Sequence, residues 1–199
     1  MGTRGAYGFY KNGVTKVMYN HFDSYPEHLG QKVGNFIAKT SKEELDTIFD
    51  NIEMVEEGER PTELQIQYCL KYGTEEMKKH LQETLANDRY AKYLDWYHVL
   101  RPEQGNLELF KTGFRYMADA EGFLYNSLFC EWAYIINLDT YELEVYEGFN
   151  KDIKAEGRYK TLIPEPDQEY FAVRLIQTIP LDRIKDGEDV VKAIYAKSF

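Results

Sequence analysis

The fold is decided near the start of the chain, by the stretch Ala6-Tyr7-Gly8-Phe9-Tyr10-Lys11-Asn12-Gly13-Val14-Thr15-Lys16-Val17-Met18-Tyr19. Asn12-Gly13 lies between two runs that are rich in aromatic and β-branched residues. Both turn residues tolerate the positive φ that a tight hairpin needs. The stretch therefore predicts an antiparallel β-hairpin.

A second set of strand-like runs lies in the last third of the chain. Residues 128–137 are nearly all apolar, which predicts a central strand covered on both faces. Residues 142–146 alternate between acidic and apolar side chains, which predicts a return strand with one buried face. A turn at 138–141 joins the two, and a last strand is predicted at 170–176.

Helical patterns fill the middle of the chain. Ser41-Lys42-Glu43-Glu44 is a capping box, and Pro61, Thr74 and Asp88 predict the starts of three more helices. Leu64 and Tyr93 are expected on inward faces of these helices. We predict one α+β domain over residues 1–199, with antiparallel hairpins at both ends and a helical insertion at about 41–102.

Composition excludes several classes of protein. The 199 residues include 14 Gly and 6 Pro, too few for a collagen-like or mainly disordered chain. The formal net charge is −10, which argues against direct nucleic-acid binding because that needs Lys and Arg to displace counterions.

The sequence also predicts a cytoplasmic location. It has no apolar run long enough to cross a membrane and no signal peptide. Cys69 and Cys130 lie in apolar or aromatic sequence, so we expect buried free thiols rather than a disulfide. No membrane partner is expected.

The glycine-rich opening, Gly2-Thr3-Arg4-Gly5-Ala6-Tyr7-Gly8, matches neither a Walker loop nor a dinucleotide fingerprint. Its glycines are typical of close backbone approach. The functional alternative is that Thr3 and Arg4 reach a shared pocket, where Arg4 binds an anionic group.

The segment Asn20-His21-Phe22-Asp23-Ser24-Tyr25 offers an amide, an imidazole, a carboxylate, a hydroxyl and a phenol within six residues. If it is extended, His21, Asp23 and Tyr25 share one face. His21 would then be a general base or acid oriented by Asp23, or both would bind a metal. Asn20, Ser24 and Tyr25 would be hydrogen-bonding neighbours of a substrate. The structural alternative is a loop in which Asp23 or Ser24 caps the next helix.

No metal or other cofactor is predicted, because the remaining histidines lack ligand spacing and no Cys-x-x-Cys occurs. The span 43–63 carries nine acidic residues and one basic residue. Such a span usually forms a solvated surface. The alternative is an acidic surface that imitates nucleic-acid phosphates in a basic partner's cleft.

The opening resembles an uncharacterised family of phage and bacterial proteins. The similar residues are Thr3-Arg4-Gly5, Gly8-Phe9 and the run 19–26, and the resemblance resumes at 128–134 and 138–140. It covers the β regions well and the helical middle poorly. The resemblance implies a phage or bacterial context and no particular activity.

A looser resemblance is to N-terminal-nucleophile (Ntn) hydrolases of the bile-salt hydrolase type. Asn20, His21 and Asp23 fall about where that family has an Asn-x-Asp element. The family implies a four-layer αββα sandwich and amide hydrolysis by a terminal Cys, Ser or Thr. The chain departs from it because removing Met1 would expose Gly2. Thr3 becomes a terminal nucleophile only after further processing, so the fold analogy is separable from the chemistry.

Two function hypotheses follow from the sequence. The first is an α+β domain that binds or hydrolyses a small polar, amide-like molecule in a pocket beside the first hairpin, with Thr3, His21 and Asp23 as catalytic residues. The second is a non-enzymatic phage inhibitor that binds a host defence or nucleic-acid-binding protein through its acidic helices. Oligomeric state does not follow from the sequence.

Overall fold

A mixed sheet of five strands is the central feature of the computed structural model, which describes residues 2–196. The strands are β1 (Gly5–Lys11), β2 (Val14–Asn20), β5 (Trp132–Asn137), β6 (Glu142–Glu147) and β7 (Arg174–Pro180). They lie in the order β2-β1-β5-β6-β7, and neighbouring strands are antiparallel except for β1 and β5, which are parallel. A small parallel sheet joins β3 (Glu53–Val55) to β4 (Tyr116–Ala118).

Most of the helices lie in the chain between the two hairpins, and the last one follows the final strand. They are α1 (Gln31–Ala38), α2 (Lys42–Asn51), α3 (Glu63–Tyr72), α4 (Glu75–Leu85), α5 (Asp88–Ala91), α6 (Trp96–Leu100) and α7 (Gly187–Tyr195). A π-helical turn at Pro26–Gly30 leads into α1. Together with the mixed sheet they confirm the predicted α+β class. None of the helices within residues 2–196 is long and apolar enough to cross a membrane.

The predicted N-terminal hairpin is confirmed. Lys11 pairs with Val14, and the turn residues Asn12 and Gly13 have φ of 51° and 82°. The Asn12 amide donates to the Asp139 carboxylate (2.9 Å) in the turn between β5 and β6. The tips of the two hairpins are therefore tied together.

Both faces of the sheet are covered. Alternate side chains of β1 and β5, including Tyr7, Phe9, Tyr134 and Ile136, pack against the helices. The residues between them pack against the chain segments around 124 and 159–173. β5 is the third of five strands, as the apolar run at 128–137 predicts. The described residues form one five-stranded layer and the small β3–β4 sheet, and the αββα sandwich is not confirmed.

Two predicted strand boundaries are wrong. β5 begins at Trp132 instead of residue 128, because the Cys130 amide donates to the Asn126 carbonyl (2.9 Å) in a turn. β7 runs over Arg174–Pro180 instead of 170–176. The Asn150 side chain donates to the Ala172 carbonyl (2.8 Å), so the backbone before residue 174 is bonded to a loop rather than to β6.

The capping signals locate most helix starts, with three corrections. Ser41 forms the predicted capping box with Glu44, and Thr74 caps α4. Thr62, not Pro61, caps α3 through a capping box of its own.

Asn87, not Asp88, caps α5. The predicted fourth helix is two short helices, and Asp95 caps the second of them, α6.

Leu64 and Tyr93 are 78% and 65% exposed, so their predicted inward positions are wrong. In α3 the buried residues are Ile66 and Cys69, and Leu64 lies on the opposite side of the helix.

Cys69 and Cys130 are buried free thiols, as predicted. Burial raises the pKa of Cys69 to about 12. Burial also raises the pKa of Cys130, with a smaller contribution from the neighbouring Glu131 carboxylate. Both groups are therefore neutral thiols at neutral pH, a state unsuited to nucleophilic attack.

The absence of a side chain at Gly5 allows the close backbone contact between β1 and β5. A Cβ at Gly5 would lie 2.4 Å from the Trp132 carbonyl oxygen and 2.6 Å from the Ser24 Cβ. Gly5→Ala should therefore lower the free energy of unfolding by about 1–3 kcal/mol, as measured by urea unfolding.

Gly58→Ala is the matched control, because no heavy atom lies within 4 Å of a Cβ built at Gly58. Its stability should be unchanged or slightly raised. Equal stabilities of the two variants would show that the close contact at Gly5 does not constrain the fold.

Candidate functional site

A cleft of ≈ 640 Å³ lies beside the first hairpin, and we call it the N-terminal cleft. Its polar wall comes from residues before β1, after β2 and before β5: Thr3, Arg4, His21 and Glu131. Its apolar wall consists of Phe22, Leu128, Phe129 and Phe149, all more than one-third exposed. Three of the predicted site residues, Thr3, Arg4 and His21, therefore lie in one cavity.

Hydrogen bonds hold the backbone of Arg4, and its guanidinium packs against an aromatic ring. The Arg4 amide donates to Glu131 Oε1 (3.2 Å), and the Glu131 amide donates to the Arg4 carbonyl (2.9 Å). The guanidinium carbon lies 4.6 Å from the centroid of the Phe129 ring. Among residues 2–196 no side chain forms an ion pair with Arg4. The guanidinium is thus positioned by stacking, with its N–H groups available to an anion.

His21 is oriented by a residue other than the predicted one. Its Nδ1 shares a hydrogen bond with the Tyr19 hydroxyl (2.7 Å), and its backbone amide donates to Gln104 Oε1 (3.0 Å). The Phe22 ring packs edge-on against the imidazole with 4.2 Å between centroids. Tyr19, two residues earlier on β2, therefore holds the imidazole in place.

Asp23 does not pair with His21 within the described chain, and this corrects the predicted geometry. The strand ends at Asn20, and Asp23 has a φ of 55°, so the alternation that would place the two side chains on one face is broken. The Asp23 carbonyl accepts hydrogen bonds from the Leu29 amide (3.2 Å) and from His28 Nδ1 (3.1 Å). The Asp23 side chain is exposed and does not line the N-terminal cleft.

Asn20 and Ser24 are buried, and their hydrogen bonds are directed inward. Asn20 Nδ2 donates to the Phe22 carbonyl (2.5 Å) and to Ser24 Oγ (2.8 Å). The Tyr134 hydroxyl donates to the Ser24 carbonyl (3.0 Å), and the Ser24 amide donates to the Thr3 carbonyl (3.0 Å). These contacts fix the loop and the N-terminal segment against the sheet, so neither side chain is placed to contact a ligand.

Tyr25 is also outside the cleft. Its carbonyl accepts the His28 amide (3.1 Å) at the start of the π-helical turn. The Pro26–Gly30 turn has no side-chain cap, so the expectation that Asp23 or Ser24 caps the next helix is wrong as well.

The sequence gives little signal for the aromatic wall. Phe129 lies in a run that resembles a strand, and the turn that exposes it depends on contacts made by the folded chain. Phe149 has a φ of 51°, which is rare for an aromatic residue and has no local sequence marker. Glu131 also lies within the run 128–137 that is predicted as a strand, so the sequence does not mark it as a cleft residue.

A second cleft, of ≈ 470 Å³, shares His21 with the first, and we call it the acidic cleft. Its polar side chains include Glu57 and Asp119, and its rings are those of Tyr19, Tyr97 and Phe123. Burial raises the pKa of Glu57, and the nearby Asp95 carboxylate raises it further. His21 therefore lies between two cavities of different charge.

The acidic span 43–63 does not form one uniform surface. Four of its nine acids have partners within the protein: Glu44 in the capping box, Asp46 and Asp50 on Lys11, and Glu53 near Arg115. The remaining acids lie at the start of α2 and in and after the loop that follows β3. Among residues 2–196 no group of three or more His, Cys, Asp or Glu side chains is arranged to hold a metal.

Comparison of the chain with protein-family models, with curated protein sequences and with solved structures finds no match. The resemblances to a phage and bacterial family and to Ntn hydrolases therefore stay predictions.

The buried amide of Asn20 provides a test of its structural role. Asn20→Ala removes two hydrogen bonds and leaves the Phe22 carbonyl and Ser24 hydroxyl without that partner. We expect a loss of about 1–3 kcal/mol in the free energy of unfolding, measured by urea unfolding.

Asn51→Ala serves as the control, because Asn51 is exposed at the end of α2. Its stability should change by less than about 0.5 kcal/mol. A stable Asn20→Ala protein with altered ligand binding would instead support the substrate-binding role predicted from the sequence.

Proposed function

We propose that the protein binds a small planar molecule carrying a carboxylate or phosphate group in the N-terminal cleft. The observation that carries this proposal is the guanidinium of Arg4, stacked on Phe129 and unpaired among residues 2–196. Arg4 binds the anionic group, and the phenylalanines contact the planar part of the ligand.

The charge distribution of the cleft favours an anion at Arg4. Glu131 is the one carboxylate in the described lining, and its Oε1 accepts the backbone amide of Arg4. His21 adds a second nitrogen donor or acceptor on the same wall. A planar anion can accept two hydrogen bonds from the edge of the guanidinium while the face of the guanidinium stays on the Phe129 ring.

The aromatic side chains favour a flat apolar group. Phe22, Phe129 and Phe149 are 56%, 41% and 53% exposed around the cleft. Exposed rings grouped at one cavity are unusual on a protein surface and mark a site where apolar area is covered on binding. A cavity of this volume accommodates a molecule with one or two rings.

The second part of the proposal is that the protein hydrolyses an amide bond of the bound molecule. It is supported by the presence of His21 and Thr3 in the lining of the same cleft. The bond to Tyr19 holds the ring through Nδ1, and Nε2 has no partner among residues 2–196. His21 would then act as the general base, with Tyr19 in the orienting role that was predicted for Asp23. Intact mass spectrometry tests a terminal Thr3 nucleophile, which requires a mature chain that begins at Thr3.

The alternative, a phage-encoded inhibitor that uses an acidic surface against a host defence protein, has less structural support. Four of the acids in the span 43–63 have partners within the protein, which reduces the charge that a partner would meet.

We propose a cytoplasmic location, where the buried thiols of Cys69 and Cys130 stay reduced.

Binding is tested with benzoate and phenyl phosphate as probes and neutral benzyl alcohol as the comparison. Two-dimensional amide NMR should show shifts at Arg4, His21 and Phe129 with either anion. Arg4→Gln should weaken anion binding by about tenfold or more, since a charge-assisted bidentate pair is lost.

Arg89→Gln is the matched control, because it removes the same charge from an exposed position on α5 outside the cleft. Its affinity should stay within about twofold of the original protein. The proposal fails if neither anion shifts the cleft residues, or if both arginine variants weaken binding equally.

A further inference from the structure

We propose that the acidic cleft is a separate binding site for a small organic ammonium ion. The proposal stands on a cavity that combines carboxylates and aromatic rings, and His21 is the one side chain in its described lining that can carry a positive charge. None of its lining residues is Lys or Arg within the described chain.

The carboxylates are held at the cavity by backbone contacts. The Tyr97 amide donates to the Glu57 carbonyl (3.0 Å), which joins the loop after β3 to α6. Asp119 follows β4 directly, and its Oδ1 accepts the Glu121 amide (2.9 Å). The Glu57 carboxylate has no hydrogen-bond or ion-pair partner among residues 2–196. It is therefore a partly buried carboxylate without a partner in the part of the chain that the structure describes.

The environment of Glu57 makes a cation the complementary ligand. Burial raises its pKa, and the Asp95 carboxylate adds repulsion. Both effects disfavour the ionised carboxylate, and the opposite charge of a bound cation would offset them. The neighbouring loop surface carries Glu56 and Glu59 together with Arg60, so it keeps a net negative charge beside the cleft.

The aromatic rings distinguish an organic cation from a metal ion. Tyr19 packs edge-on against Phe123 with 5.1 Å between ring centroids, and Tyr97 lies beside Glu57. Ring faces attract ammonium groups and exclude the water that a small metal ion retains. The described residues also offer no group of three metal-ligating side chains. An alkylammonium ion satisfies both the carboxylate and the rings.

The site is distinct from the anion site. The two clefts share His21, whereas Arg4 lines only the N-terminal cleft and Glu57 only the acidic one. Variants at Arg4 and Glu57 can therefore separate failure of the anion proposal from failure of this one.

The probes are choline and n-butylammonium, with 3,3-dimethylbutan-1-ol as the neutral isostere of choline. In amide NMR titrations we expect shifts at Tyr19, Glu57, Tyr97 and Gly122 with the ammonium probes. The neutral alcohol should bind at least about tenfold more weakly, because it lacks the charge. Choline binding should persist in Arg4→Gln.

Glu57→Gln should weaken choline binding by about tenfold, whereas Glu63→Gln should change it by less than about twofold. Glu63 is an exposed acid at the start of α3, so its variant removes the same charge outside the cleft. A thermal melt confirms that both variants are folded. The proposal is overturned if neither ammonium probe shifts the cleft residues, if the alcohol binds as well as choline, or if the two Glu variants behave alike.

Discussion

The parallel pairing of β1 with β5 is the contact on which the rest of the structure depends. It joins Gly5 to Trp132 and Tyr10 to Asn137 along one register, across a sequence separation of 127 residues. Because both strands begin at the same edge of the sheet, the residues that precede them are brought side by side. The Arg4–Glu131 hydrogen bonds extend the pairing beyond the strands and bring two residues of the polar wall of the N-terminal cleft together.

The loop after β2 contributes His21 and Phe22 to the N-terminal cleft, and buried polar groups fix its conformation. Asn20 and Ser24 are 5% and 0% exposed, yet both have hydrogen-bond partners. A buried amide or hydroxyl without a partner would cost free energy, so these groups select one loop conformation. That conformation directs His21 toward the clefts and turns Asp23 to solvent. Asn20 and Ser24, which the sequence predicts as ligand contacts, thus hold the loop that carries His21.

His21 is the point at which the two candidate sites meet. Tyr19 orients it from the strand, Phe22 packs against it, and it belongs to the lining of both cavities. The N-terminal cleft presents the Arg4 guanidinium with phenylalanine rings, and the acidic cleft presents the Glu57 carboxylate with mostly tyrosine rings. The two cavities therefore differ in charge although they share one imidazole.

The sequence by itself determined the elements whose causes are local. Asn12-Gly13 specified the first hairpin, Ser41 and Thr74 specified helix starts, and apolar context identified Cys69 and Cys130 as buried thiols. Of the site residues that it predicted, Thr3, Arg4 and His21 line one cleft, whereas Asp23 lies outside it. Turn and capping preferences act over a few residues, which is why a sequence window reveals them.

Only the tertiary structure decided which residues complete the site. The parallel β1–β5 pairing, the turn that exposes Phe129, and the placement of Phe149 and Glu57 depend on contacts between distant segments. The replacement of Asp23 by Tyr19 as the partner of His21 depends on the end of β2 at Asn20 and on the left-handed conformation of Asp23 in the loop that follows. Such choices follow from the packing and hydrogen bonding of the whole chain, because no local preference distinguishes them.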